Sequence, residues 1–416
     1  MSNEKSLIDD DRPPSSFKGV TFSGFKSTIV MQRLADSMNR EKIEDACYWC
    51  AELICAGHYM ELWETLIQFY CKYIHISNPK LSIYMASKLQ RFRENMNSVE
   101  NDQEQLEFRN ETGFRSLFME FVVILCTSPK KYTVQPVKVS HDDFNMLKLK
   151  CLLQAPDLSS CEKILKDEDP KELIIAINEL SYNLTESVAN TLRAYYWYEW
   201  IIEYSKLCKK EKQPCRIVKR DDIESVLIDD KYATNPVWLI WILLKDHAVK
   251  RGKMYERIVN SLFEIFCLRY TEVCNTKRRT VVYFAISILT TNIVFSEYEI
   301  VKDKRLLSCI LSQSYTIFSQ VKEHGRHILK EKARQEEYDV KEQIMQSGGM
   351  ENNHVTMASQ VSTDAMFGIF CESENKIVDT KNSNKSKKNT VNTDNKSSDK
   401  VSIDKELFGI DFIPRI

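Results

Sequence analysis

Turn-forming residues are scarce in this chain. Its 416 residues include 10 glycines and 10 prolines, too few for many short strands joined by tight turns. An excess of either charge is missing too, since 58 Lys and Arg face 59 Asp and Glu. No global field therefore draws the chain to nucleic acid or an anionic membrane, and little repulsion opposes self-association. No apolar run reaches the ~18–20 residues that span a bilayer. The nearest, residues 281–295, is too short and contains polar residues. The acidic, polar N-terminus lacks the apolar stretch of a secretory signal. The 13 cysteines are odd in number and lie mostly inside apolar stretches. They are read as small buried hydrophobes in a reduced, intracellular compartment.

Catalytic signatures are equally thin. The Gly-Lys pair Gly252-Lys253 lacks the upstream glycine of a phosphate loop, and no dinucleotide, serine-hydrolase or zinc-protease motif occurs. The reading is of a non-enzyme that needs no cofactor and no metal. Cys47 and Cys50 have redox spacing, but they lie in a helical run rather than after a strand. Cys208/Cys215 and Cys267/Cys274 share a spacing without the second pair that zinc requires. His324 and His327 are three apart on a charged helix, where a solvated face is the expectation. The acidic pairs Asp142–Asp143 and Asp221–Asp222 sit in polar loops and read as caps and turns.

What is abundant is helical periodicity, so the fold class read from the sequence is all-α. In residues 46–70, Tyr48, Trp49, Leu53, Ile54, Leu62, Leu66, Phe69 and Tyr70 make a broad apolar face. Gly57 and Asn78-Pro79 mark helix ends there. Residues 1–24 read as a flexible arm, pinned to the body by Phe17, Phe22 and Phe25. A first helical unit is expected over 25–135, with a polar, mobile loop at 97–112. A connector with a short helix follows over 136–169, capped by Ser140 or Asp142. A second unit over 170–347 opens with Asp169 as N-cap and Pro170 in the first turn, and closes on a long charged helix. Residues 46–54 and 194–202 match in pattern, each after an apolar helix of similar phase. This points to a degenerate duplication in which Trp49 and Trp197 occupy equivalent buried positions.

The remainder, 348–416, is expected to be a disordered tail, because its Asn, Lys, Ser, Thr and Asp cannot bury enough apolar surface. Two short islands flank the polar tract: Met366-Phe367-Gly368-Ile369 and Leu407-Phe408-Gly409-Ile410. A motif repeated on a tether reads as a pair of partner-docking segments. Of several basic clusters, Lys277-Arg278-Arg279 stands just before an apolar helix, where it would contact nucleic acid if any part does.

Residues 46–131 resemble the C-terminal helical domain of replication-associated AAA+ ATPases of the MgsA type, which is related to the clamp-loader collar. The matching residues are Ala46, Tyr48-Trp49, Ala51, Gly57, Ile74, Asn78-Pro79 and Ser128-Pro129-Lys130. The chain departs from the family at Lys72-Tyr73-Ile74-His75, where Glu-Asp-Ile-Gly is usual, and it lacks the ATPase module. The resemblance implies collar-like helical units and a tendency to form homo-oligomers, not an activity. The chain as a whole resembles a family found in large double-stranded DNA viruses of protists, on residues 17–26, 46–58, 76–84, 169–179 and 267–274. That implies a place inside the infected host cell, in a viral factory, the nucleus or the virion. The leading expectation is a helical adaptor acting through protein partners in replication, transcription or assembly. A virion structural component and a nucleic-acid-binding accessory factor are the alternatives.

Overall fold

Helical periodicity is realised along the chain. The computed structural model describes residues 6–133, 135–161, 164–220 and 228–347, with backbone alone for 146 and 343–347. Met1–Ser347 forms one compact unit. Gly348–Ile416, with both expected docking motifs, lies outside the described residues. The only β-feature described is an isolated bridge between Val20 and Lys26. The all-α expectation therefore holds.

The first half contains α1 (Ser27–Asn39), α2 (Ile43–Cys55), α3 (Tyr59–Phe69), α4 (Leu81–Asn97), α5 (Asp102–Glu107) and α6 (Thr112–Thr127). After the short α7 (Met146–Lys150), the second half runs through α8 (Glu172–Leu184), α9 (Thr191–Lys210), α10 (Val237–Arg251), α11 (Lys253–Phe266), α12 (Cys274–Lys277) and α13 (Arg279–Thr290). The 44-residue α14 (Lys304–Ser347) closes the described chain.

The local signals explain most boundaries. Gly57 takes φ +76° just after α2, a conformation that favours glycine. Asn101, Asn145 and Asn190 cap α5, α7 and α9 by accepting from backbone N–H groups of the first turn. Ser140 and Asp143 form a capping box on the turn His141–Phe144.

The two halves share a plan. α1, α2, α3 and α6 all pack on one another, and so do α8, α9, α10 and α13. α1 buries Ser27, Val30, Leu34, Ser37 and Met38; α8 buries Leu173, Ala176, Leu180, Asn183 and Leu184 at the same spacing. Residues 46–54 and 194–202 agree in burial at every position except Trp49/Trp197. Trp197 is fully buried, whereas Trp49 is half-buried at the rim, edge-on to Phe25 with Arg33 over its ring. Fully buried tryptophans also stand on the next helix of each half: Trp63 on α3, and Trp238 and Trp241 on α10. Trp63 packs on Phe92 of α4, and Trp241 on Phe263 and Phe266 of α11. α4 and α11 then pack on each other, so the units expected at 25–135 and 170–347 are halves of one compact unit.

Three local expectations change. The 97–112 segment, expected as a mobile loop, contains α5 and the buried Arg109. The helix after 169 begins at Glu172, and Asp169 does not cap it. Asp169 is buried in an ion pair with Arg220 and accepts from the backbone N–H of Lys166 (2.8 Å) and Val218 (3.0 Å). A buried carboxylate beside a guanidinium gains more from that charge than from an exposed helix end. The arm is packed from Ser6 onward, with Ile8, Phe17 and Phe22 in the core.

Candidate functional site

The N-terminal segment and α14 meet over the α2–α6 face, and buried polar chemistry concentrates there. Thr21 and Phe25 close a tight turn (Thr21 N–H to Phe25 O, 2.7 Å) through Gly24 at φ +83°. The N-terminal segment from Ser6 to Phe25 forms a strap that brings this turn between α2 and α14. Phe22 rests on Gly325, where an added Cβ would stand 2.4 Å from its ring. Arg12 lies over both Phe17 and Phe22, at 4.7 and 4.8 Å, and pairs with Asp10 at 2.7 Å. Lower down, Asn110 exchanges two hydrogen bonds with the Ile8 backbone, and Arg115 donates to the Ser6 carbonyl at 3.0 Å. Arg115 also lies 4.1 Å over Phe318 of α14, so one guanidinium joins strap, α6 and α14.

Glu52 of α2 sits at the centre of this contact, fully buried. It accepts from the Ser23 hydroxyl (2.6 Å), the Ser23 backbone N–H (3.1 Å) and the Tyr48 hydroxyl (3.2 Å). The Tyr48 oxygen also meets His324 Nδ1 of α14 at 2.7 Å. Tyr48 has one proton; when it donates to Glu52, His324 Nδ1–H donates to Tyr48. Burial raises the Glu52 pKa, and the Ser23 bonds and His324 pull it partly back. The chain His324–Tyr48–Glu52–Ser23 thus links helix, core and strap. His327 turns away and pairs with Glu331 at 3.7 Å, so the two histidines do not share a ligand position.

Of the basic triplet, Arg278 is buried while Lys277 and Arg279 are partly exposed. Arg278, expected as a nucleic-acid contact, is buried and paired with Glu64 of α3 through Nη2 (2.6 Å) and Nε (3.1 Å). Its Nη1 donates to the carbonyls of Phe266 (2.8 Å) and Leu268 (2.6 Å). Burial opposes charge on Glu64, but Arg278 and Lys277 outweigh it and hold the carboxyl below its ordinary value. Lys277 Nζ stands 3.7 Å from Glu64, and Arg279 reaches Glu199 of α9 at 3.3 Å. Arg278 faces inward because the buried Glu64 needs a partner, so phosphate contact through Arg278 would break that pair. Glu199 also accepts from Tyr283 (2.9 Å), whose ring stacks on Tyr195 with centroids 3.9 Å apart.

Cys47 and Cys50 are buried on α2, and desolvation pushes Cys47 up to about 12 and Cys50 well above its ordinary value. Such thiols pack as hydrophobes. Among the described residues, no group of three or more His, Cys, Asp or Glu is placed to hold a metal, and no helix is long and apolar enough to cross a membrane. Asn78 and Ser128, two residues that carry the collar resemblance, meet at 3.3 Å; Asn78 also donates to the Ile300 carbonyl at 3.1 Å. Lys130 caps α6 on the carbonyls of Leu125, Cys126 and Ser128. No family model, curated protein or solved structure matches this chain.

Sequence reasoning missed Glu52, Glu64 and Glu199. Their one signal is an acid placed on the apolar face of a helix, which periodicity treats as noise.

The root of α14 is held firmly, with Phe318 and Val321 buried, while every residue from 332 to 342 is exposed. The outer stretch supports itself through Glu337–Lys341 (2.7 Å) and Gln335–Asp339 (2.8 Å) pairs. The arrangement is a packed body from which a supported helix leads toward residue 348.

Proposed function

We propose that this chain is a non-enzymatic helical adaptor serving a viral replication, transcription or assembly complex. The body is the platform, α14 is the outgoing arm, and the two tail motifs are the docking segments. The observation that carries this reading is the repeat of Phe-Gly-Ile after Met366 and after Leu407, on either side of a polar tract. Short aromatic segments dock in apolar grooves, and glycine lets the backbone approach closely. Tethering two copies raises the effective concentration of the second once the first is bound. The body adds support, since Arg278, Glu64, Glu199 and Cys47 are all engaged in holding helices together.

The test is partner capture from infected cells with the full chain and with Phe367→Ala, Phe408→Ala and the double variant. Each single change is expected to lower recovery of a shared set of proteins, and the double change to lower it about tenfold or more. Unchanged recovery with the double variant would contradict the adaptor reading. Near-capsid abundance in purified particles would favour a structural role in the virion instead.

A further inference from the structure

Where α3 ends, the backbone leaves ordinary helical geometry. Tyr70–Ile74 forms a single π-helical turn, and His75 after it takes φ +31°, a region that side chains rarely adopt. Such a turn persists only where its surroundings hold it. Here the chain leaving α6 does so: the Lys131 N–H donates to the Tyr73 carbonyl, and the Thr133 N–H to the Lys72 carbonyl at 3.0 Å. The pairing sets Tyr132 edge-on to Tyr73, with centroids 5.2 Å apart, and Tyr73 packs on Phe69 at 5.1 Å. The Tyr132 hydroxyl reaches Asn39 Oδ1 at 3.4 Å, yet the residue is 64% exposed. A ring held at its edge and its hydroxyl, and otherwise open to water, offers a stacking face. Cations flank it. Lys72 Nζ lies 5.2 Å from the centre of the Tyr73 ring, and Lys131 is exposed. Lys130 is tied to Glu41 at 3.7 Å, but among the described residues no carboxylate pairs with Lys72 or Lys131. Lys131 also lines a cleft of about 240 Å³, with Ser77, Thr291, Asn292 and Tyr298 among its polar groups.

We propose that Tyr73, Tyr132, Lys72 and Lys131 form a binding surface for single-stranded nucleic acid. An unpaired base stacks on the open face of Tyr132, and the two lysines meet phosphates of the same strand. Beyond Lys131, the cleft receives the neighbouring nucleotide, where hydroxyl and amide groups can bond sugar and phosphate oxygens. A single strand fits better than a duplex. Paired bases cover each other's faces, so Tyr132 would find none to stack on, and two lysines neutralise too few phosphates to hold a duplex alone. An acidic peptide would use the lysines but leave the tyrosine face without a partner. Stacking accepts every base, so little sequence preference is expected. Arg278 takes no part, because it serves Glu64.

The test titrates the full chain against a fluorescein-labelled oligothymidylate of about 15 nucleotides and follows anisotropy over a salt series. Residues 376–403 are rich in lysine, but that segment is common to wild type and variants, so their difference reads the surface alone. Tyr132→Ala is expected to weaken binding about tenfold, while Tyr132→Phe, which keeps the ring, stays within about twofold of wild type. Lys72→Gln and Lys131→Gln should each make the dependence of log affinity on log salt shallower by about 0.7. All four side chains are at least partly exposed, and circular dichroism melts confirm that the variants fold. The proposal is overturned if the oligonucleotide does not bind at about 50 mM salt, or if Tyr132→Ala binds it as wild type does. It is equally overturned if a duplex of the same length, or a labelled polyglutamate peptide, binds as tightly and with the same loss in Tyr132→Ala.

Discussion

Arg278 shows how much one residue's reading depends on a distant one. In sequence it belongs to a basic run; in the structure its partner Glu64 is 214 positions away. No local pattern reveals that pairing. Arg278→Ala would strand Glu64 and two carbonyls inside the protein, at an expected cost of about 3–5 kcal/mol. A denaturant midpoint at the wild-type value would contradict the pairing. His247 makes a second test. It bonds Ser181 at 2.9 Å, and burial, with Lys250 adding to it, lowers its pKa from 6.5 to about 4. The unfolded chain therefore takes up a proton between about pH 6.5 and 4 that the folded chain refuses, and stability falls as pH drops through that window. Glu52 and Glu199, both raised by burial, act in the opposite direction above their ordinary value. The readout is thus wild type compared with His247→Gln. The variant is expected to lose less stability between about pH 7 and 4.5, by on the order of 1–3 kcal/mol. Parallel pH profiles from denaturant unfolding would count against it.

Among elements, α14 was the most legible and the strap the least. The rising charge density of α14 announces a solvated end, and residues 332–342 are exposed. The strap, by contrast, is short and acidic at its start and carries no periodicity. Its order comes from Phe17 and Phe22 and from carbonyls that Arg109 and Arg115 satisfy far along the chain. The contact of Phe22 with Gly325 gives a direct test of this clamp. Gly325→Ala introduces a Cβ 2.4 Å from the ring, so the strap must shift, at an expected cost of about 1–3 kcal/mol. Ala333, on the exposed stretch of the same helix, serves as the control: Ala333→Gly is expected to cost less than about 1 kcal/mol. Thermal melts of the two variants check this, and equal shifts would contradict a clamp at Gly325.

At the scale of the whole molecule, helix content and the internal match were readable, while the joining of the halves was not. Matching residues 46–54 to 194–202 holds up in burial, because a helix's apolar face is a local property. The choice of Trp49 failed for the same reason: which aromatic faces the core depends on what covers the helix, and here the strap covers Trp49 only in part. The junction rests on α4 against α11, the Arg93 bond to the Glu264 carbonyl (3.1 Å) and the Glu64–Arg278 pair, all long-range. Two halves tied in this way should open together. Native-state hydrogen exchange followed by mass spectrometry over a denaturant series measures that most directly. The expected result is one shared opening free energy for the slowest amides of α2 and α6 and those of α9 and α13. If either set exchanges through a separate opening, by more than about 2 kcal/mol, the halves are independent domains and the account of one cooperative body is wrong.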